Sequence, residues 1–180
     1  MFKRLIALCM CAGMMCSQVV SAGIFKEGDQ ILIQTSVWTT HYDPEPDHNN
    51  HQKLINLEWY FPETNVDALP RPSGRDWRDE VQWLIGGASF LNSFDQRTTS
   101  LYTGGRYNFH DSGDLKTYGK LTAGLIHGYR GEYRDKIPFN RFGVAPSILP
   151  AFGVEYNRMN LEMIPFGTAG FMVNVGYYFR

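Results

Sequence analysis

The sequence predicts an all-β protein, an eight-stranded antiparallel transmembrane β-barrel of the outer membrane. Three observations predict it. Eight stretches alternate between two faces with the period of two that belongs to strands. Phe, Trp and Tyr make up 14% of the chain and glycine occurs 18 times, heavy for a soluble enzyme and ordinary for a membrane barrel with aromatic girdles. The N-terminus has the layout of an export signal, and beyond it no run of about 20 apolar residues offers a membrane helix.

Met1-Phe2-Lys3-Arg4 opens the chain, an apolar run follows from Leu5 to Met15, and Val20-Ser21-Ala22 supplies the small residues of a cleavage site. The expected division is a signal peptide over 1–22 and one barrel domain over 23–180. Cys9, Cys11 and Cys16 all fall inside the signal, so the exported chain carries no thiol, disulfide or thiolate metal site. A formal net charge of −1 gives no reason to expect nucleic acid as a partner.

The first strand is predicted over 30–42, QILIQTSVWTTHY, with Ile31, Ile33, Thr35 and Val37 on one face and Leu32, Gln34, Ser36 and Trp38 on the other. DPEPDHNNH ends it as a polar loop. Residues 52–61 form the second strand, with Ile55, Leu57, Trp59 and Phe61 toward lipid and Leu54, Asn56, Glu58 and Tyr60 inward. The proline-rich connection over 62–79 is longer than an ordinary periplasmic turn. Strands three and four, 81–91 and 98–109, read as a hairpin around NSFDQR. The fifth runs over 116–128, with Leu121, Ala123 and Leu125 on one face, and the charged segment 129–142 is a surface loop. The sixth, 145–156, contains Pro146 and Pro150; Asn157-Arg158 turns it into the seventh, 159–166; the eighth, from Phe171 to Phe179, alternates to the C-terminus. Proline deletes a ladder hydrogen bond, so prolines in neighbouring strands of a closed barrel predict a gap in its wall.

With both ends of the chain periplasmic, loops after odd strands face outward. His41 closes strand one, and Asn92 with Ser93 closes strand three, so the count places all three on the extracellular rim. Imidazole can take a serine proton as the oxygen attacks a carbonyl, which makes His41 and Ser93 a candidate pair. On residue type alone, Ser93 capping a turn and His41 as a solvated loop residue is the favoured description. His48 and His51 share a loop with Asp43, Glu45 and Asp47, but nothing there fixes a ligand geometry, so no metal is assigned. Glu58, Glu155 and Glu162 with Arg106 are candidates for ion pairing inside the barrel. The cations of GYRGEYRDK face either lipopolysaccharide or plain solvent.

Taken together, these residues resemble the lipid A palmitoyltransferases of the PagP type. His41-Tyr42-Asp43 resembles the segment holding that family's rim histidine, and Asn92-Ser93 falls where the family has Asp-Ser. The run into Tyr102 and Gly104 is similar to the strand whose glycine floors the acyl pocket. Ile137-Pro138, Leu149-Pro150 and Ile164-Pro165 resemble its proline-interrupted strands. The resemblance implies an outer-membrane acyltransferase that moves an acyl chain from a phospholipid donor to a lipid A or lipopolysaccharide acceptor without a cofactor. It implies His41 as general base, Ser93 as nucleophile or hydroxyl relay, and Asn92 as orienter or carbonyl donor. Gly104 would be the pocket floor, and Pro150 and Pro165 would flank a lateral passage for lipid. A monomer is expected. Asn92 departs from the family's carboxylate, so Asp43, Asp95 or a neutral amide would orient the histidine. The amphipathic helix that precedes the barrel in the family has no counterpart between Gly23 and strand one. The competing expectation is a noncatalytic barrel, structural, adhesive or a narrow pore, although Tyr60, Phe90, Tyr102 and Tyr178 crowd the interior against a channel.

Overall fold

The computed structural model describes residues 28–44, 48–61 and 77–180, in which eight antiparallel strands close into one barrel in chain order. They are β1 Gln30–His41, β2 Ile55–Phe61, β3 Val81–Leu91, β4 Arg97–Asp111, β5 Leu115–His127, β6 Val144–Tyr156, β7 Met159–Pro165 and β8 Gly170–Phe179. The expected signal peptide with its three cysteines, residues 23–27 before β1, Glu45 and Asp47, and most of the 62–79 connection lie outside the described residues. A 3-10 helix over Trp77–Glu80 leads into β3.

Parity decides what each strand buries. Ile55, Leu57, Leu121 and Leu125 are exposed on the outer wall, while Asn56, Glu58, Tyr60 and Lys120 are buried inside. An apolar exterior around a polar interior is the pattern of a barrel whose solvent is lipid. Asn157 and Arg158, both at positive φ, make the primed two-residue turn that suits the right-handed twist of β6 and β7.

β1 departs from the simple alternation. Its register with β8 slips between Ser36, paired with Asn174, and Trp38, paired with Val173, leaving Val37 as an extra residue. Val37 and Trp38 are consecutive and both 58% exposed, after which Thr39 and His41 are buried. Trp38 therefore faces outward, not with Leu32 and Gln34 as the alternation predicts. A β-bulge inverts the parity of everything beyond it.

Two ladders are short. β2 pairs with β1 only from Gln30↔Tyr60 to Gln34↔Asn56, beyond which Thr35 Oγ1 donates to Leu54 O at 2.8 Å, and Gln52 lies along the end of β3, where Leu91 N donates to Gln52 O at 2.6 Å. β7 pairs with β6 only from Tyr156↔Met159 to Phe152↔Met163, although β6 continues beside β5 through Pro150↔Leu121 and Pro146↔Leu125. Continuing the β6–β7 register by two residues would bring Pro150 opposite Pro165, so the ladder stops just short of that pair. A proline has no N–H to leave unsatisfied at an unpaired edge facing hydrocarbon. The sequence puts prolines where the wall is open.

The lumen is filled below the rim. Leu32, Tyr60, Leu84 and Tyr178 pack together at the turn end, with Tyr102 against them. Over them, Lys120 Nζ lies 2.7 Å from Glu58 Oε1 and 2.7 Å from Glu162 Oε2, all three side chains nearly inaccessible. Tyr60 and Tyr102 donate to Glu58 at 2.5 and 2.8 Å, and Tyr118 donates to Glu162 at 2.9 Å. Arg106 pairs with Glu155 at 2.8 Å and its guanidinium lies 4.0 Å from the Tyr118 ring centre. Charges taken from water this completely must be paired, and these are.

Removing Lys120 leaves two carboxylates buried together. Lys120→Met is expected to lower the unfolding free energy by about 3–5 kcal/mol in urea titrations of the micelle-folded barrel. Replacing Glu58 and Glu162 by Gln in the same chain should recover much of the loss. An unchanged urea midpoint for Lys120→Met would contradict the network's role.

Candidate active site at the rim

The bulge at Val37 sets the site. His41 shares its odd number with Ile33, which is 40% exposed on the outer wall, and without the extra residue it would point to lipid. With it, His41 turns inward at the mouth of the barrel, 7% exposed, paired in register with Gly170. Its ring lies between His48, with centroids 4.3 Å apart, and Phe166, at 5.8 Å.

Ser93 reaches the same place from a tight turn built by Asn92. The Asn92 side-chain oxygen accepts from Phe94 N at 2.9 Å and Gln96 N at 3.0 Å, and Asn92 N donates to Gln96 O at 2.9 Å. Asp95 takes positive φ within the turn, a conformation aspartate tolerates. The turn holds Ser93 at its tip, and Ser93 Oγ lies 2.8 Å from His41 Nε2.

The third member comes from the loop over 48–54. Asn50 Oδ1 is 2.9 Å from His41 Nδ1. An amide oxygen can only accept, so it holds the proton on Nδ1 and leaves Nε2 bare to receive the serine proton. The loop is stitched to the serine turn: Asn49 N donates to Ser93 O at 2.7 Å and Asn49 Nδ2 to Asn92 O at 3.3 Å, while Gln52 Nε2 donates to Asn49 O at 2.8 Å. Ser93, His41 and Asn50 form a hydrogen-bonded relay with the direction of a nucleophile, base and orienter.

Two expectations need correction, and a third resolves to one of its alternatives. Asn92 does not orient His41; its oxygen is committed to the turn, and its buried Nδ2 has no partner among the described residues. Of the orienters left open for His41, Asp43 and Asp95 are exposed, and the partner is a neutral amide, Asn50, from a loop that reads as merely solvated. Gly104 does not line the narrow cavity inside the barrel; a Cβ there would come within 2.2 Å of the Leu121 carbonyl oxygen, so the glycine permits close approach of β4 and β5. Among the described residues no group of three or more His, Cys, Asp or Glu is placed to hold a metal ion.

A narrow cavity of ≈ 90 Å³ lies inside the barrel. Leu54, Phe90, Ile126, Leu149, Ile164 and Met172 give it apolar walls, and Asn56, Glu58, Tyr102 and Lys120 end it on the buried network. Tyr102 lies across Gly86, where an added Cβ would meet its ring at 2.6 Å, and its hydroxyl is tied to Asn56 at 2.6 Å. Leu149 and Ala151 from β6 and Ile164 from β7 line the same cavity, so it borders the stretch where those strands are unpaired.

The closed eight-stranded barrel with an apolar exterior defines the class, a small barrel of the outer-membrane type. Solved barrels of that architecture are similar to it. The outer-membrane protein Ail of Yersinia pestis, determined in a phospholipid bilayer nanodisc, is 14% identical with a TM-score of 0.40, covering 84% of this chain and 98% of its own. The N-terminal β-barrel domain of OprF from Pseudomonas aeruginosa is 15% identical with a TM-score of 0.39, covering 84% of this chain and 96% of its own. No protein family model and no curated protein matches the sequence.

The tautomer gives the test of the site. Nitrogen NMR of His41 is expected to show a protonated Nδ1 and a bare Nε2 in the folded protein. Asn50→Ala removes a hydrogen bond worth about 1 kcal/mol, roughly a fivefold change in tautomer ratio toward the Nε2–H form. The same spectrum with and without Asn50 would remove it from the relay.

Proposed function

We propose that this barrel is an outer-membrane acyltransferase that moves an acyl chain, of the palmitoyl class, from a glycerophospholipid to lipid A. The observation that carries the reading is the 2.8 Å approach of His41 Nε2 to Ser93 Oγ, with Nδ1 held by Asn50, on the rim of a barrel that encloses a cavity with apolar walls. The resemblance to PagP-type enzymes in His41-Tyr42-Asp43 and Asn92-Ser93 supports the same chemistry.

In this reading a donor lipid reaches the rim through the unpaired stretch between β6 and β7, bordered by Pro150 and Pro165. Its acyl chain enters the cavity between Leu149 and Ile164. Ser93 Oγ bonds to the ester carbonyl carbon while its proton passes to His41 Nε2. The Asn92 amide, buried beside Ser93, donates to the carbonyl oxygen as it gains charge. The bond from the acyl carbon to the glycerol oxygen then breaks, and the departing lysophospholipid oxygen takes the proton from His41. A lipid A hydroxyl returns the sequence: its proton goes to His41, its oxygen bonds to the acyl carbon, and Ser93 leaves and recovers its proton. If Ser93 serves as a relay, the acceptor hydroxyl attacks directly and its proton reaches His41 through Ser93 Oγ. Chain length would be set where Tyr102 and the Glu58–Lys120 pair end the cavity, because a methyl terminus gains nothing from displacing paired charges.

A second reading is a noncatalytic barrel, and the filled lumen favours it. The Glu58–Lys120–Glu162 network and the Tyr60–Tyr178 layer occupy the interior, as they would in a structural or adhesive barrel. The same filling argues against a pore.

Mass spectrometry of lipid A separates the readings. Cells producing the protein are expected to carry lipid A with one added acyl chain, and Ser93→Ala or His41→Asn should abolish that species while the barrel still folds. Identical lipid A with and without the protein, in membranes shown to contain it, would leave the noncatalytic reading standing.

A further inference from the structure

The loop between β5 and β6 carries the two most exposed large apolar side chains among the described residues, Phe139 at 82% and Phe142 at 89%. Their backbone is tightly held. Asn140, 4% exposed, donates from Nδ2 to Tyr129 O at 3.0 Å and Arg134 O at 2.9 Å. Its carbonyl accepts from Arg134 Nε at 3.0 Å and Gly143 N at 3.2 Å. Anchoring the residue between them presents Phe139 and Phe142 outward. Phe139 also holds φ at +61°, a left-handed conformation that a bulky side chain adopts only against a steric cost. In water, both the strain and the exposure oppose the observed fold.

The loop's position and charge identify a surface that reverses this balance. β6 begins two residues after Phe142, and its outward side chains Val144 and Ile148 are exposed beside Leu125 of β5. The aromatic pair therefore extends the apolar outer wall beyond the end of the strands. Arg141 is exposed between the two rings, and the loop carries Arg130, Arg134, Lys136 and Arg141 against Glu132 and Asp135. Aromatic rings at the end of an apolar wall, accompanied by excess cation, match the boundary between acyl chains and phosphate headgroups.

We infer that the loop over 138–142 is an interfacial anchor. It seats Phe139 and Phe142 in the acyl–headgroup boundary of the leaflet around the rim and sets Arg141 among lipid phosphates. The anchor lies directly above the free edge of β6, so it presses that leaflet against the unpaired stretch between β6 and β7. The inference rests on the membrane-barrel part of the proposed function and is independent of acyl transfer.

Nitroxide labelling tests it. Single substitutions Phe139→Cys, Phe142→Cys, Glu132→Cys and Leu125→Cys are labelled in the full exported protein, in vesicles of phosphatidylethanolamine and phosphatidylglycerol. Unsubstituted protein labelled in parallel accounts for any native thiol. Oxygen partitions into lipid and a nickel chelate stays in water, so the ratio of their relaxation effects reads depth. Labels at 139 and 142 are expected to give a ratio several-fold above that at 132 and closer to that at 125, which lies on the strand wall. A ratio at 139 and 142 equal to that at 132 would overturn the anchor. So would spin–spin broadening at 139 or 142 that disappears on dilution with unlabelled protein, because a second copy would then cover the patch. A water-like ratio at 125 as well would instead overturn the membrane-barrel reading. All four positions are surface side chains, so the variants retain the buried network on which folding depends.

Discussion

In a closed barrel the direction of each side chain follows from its parity along the strand, and β1 resets that rule once. Val37 is the extra residue, and its insertion sends Thr39 and His41 into the barrel mouth although Ile31 and Ile33 face out. The rest of the rim is assembled around that change of direction. The Asn92 turn holds Ser93 at 2.8 Å from the imidazole, and the 48–54 loop, tied to the same turn through Asn49, supplies Asn50 to the other nitrogen. Three segments distant in sequence meet at one ring because one of them contains a bulge.

Below the rim the lumen divides by polarity. The lower part is a paired charge network, in which Lys120 neutralises carboxylates from opposite sides of the barrel and tyrosine hydroxyls satisfy their remaining oxygens. The upper part is apolar and narrow. Such a network gives the barrel a rigid interior and ends the cavity with groups that a hydrocarbon chain cannot displace at low cost. The wall is complete where the network crosses it and incomplete above, where β6 runs on beyond the last β7 pair. Opening and filling occur at different heights, so an unpaired stretch coexists with a stable barrel.

Much of this architecture was legible because strands announce themselves by period. The outward and inward faces of β2 and the apolar face of β5 follow directly from alternation, and the closed eight-stranded barrel follows from the number of strands. The prolines at 150 and 165 marked the region where β6 and β7 separate, since an absent N–H is an asset only at an unpaired edge. The failures are equally physical. Val37 is an ordinary β-branched residue in a regular pattern, and a bulge there shows only when β1 is set against β8. Asn50 sits in a run of polar loop residues whose partners are set by tertiary contacts, so no spacing distinguishes it from its neighbours. Gly104 invites a role as a floor, whereas the close approach of the Leu121 carbonyl explains it. Asn92 reads as a substituted carboxylate, yet its hydrogen bonds show the ordinary turn chemistry of asparagine.

The central claim is that the imidazole turned inward by the bulge activates Ser93, and covalent trapping tests it most directly. Folded protein treated with a lipid-like fluorophosphonate and analysed by peptide mass spectrometry should carry a single adduct on Ser93. That adduct should disappear in His41→Asn and in a chain lacking Val37, both verified as folded barrels. An adduct formed equally without His41, or none on Ser93 in the unsubstituted protein, would contradict the account.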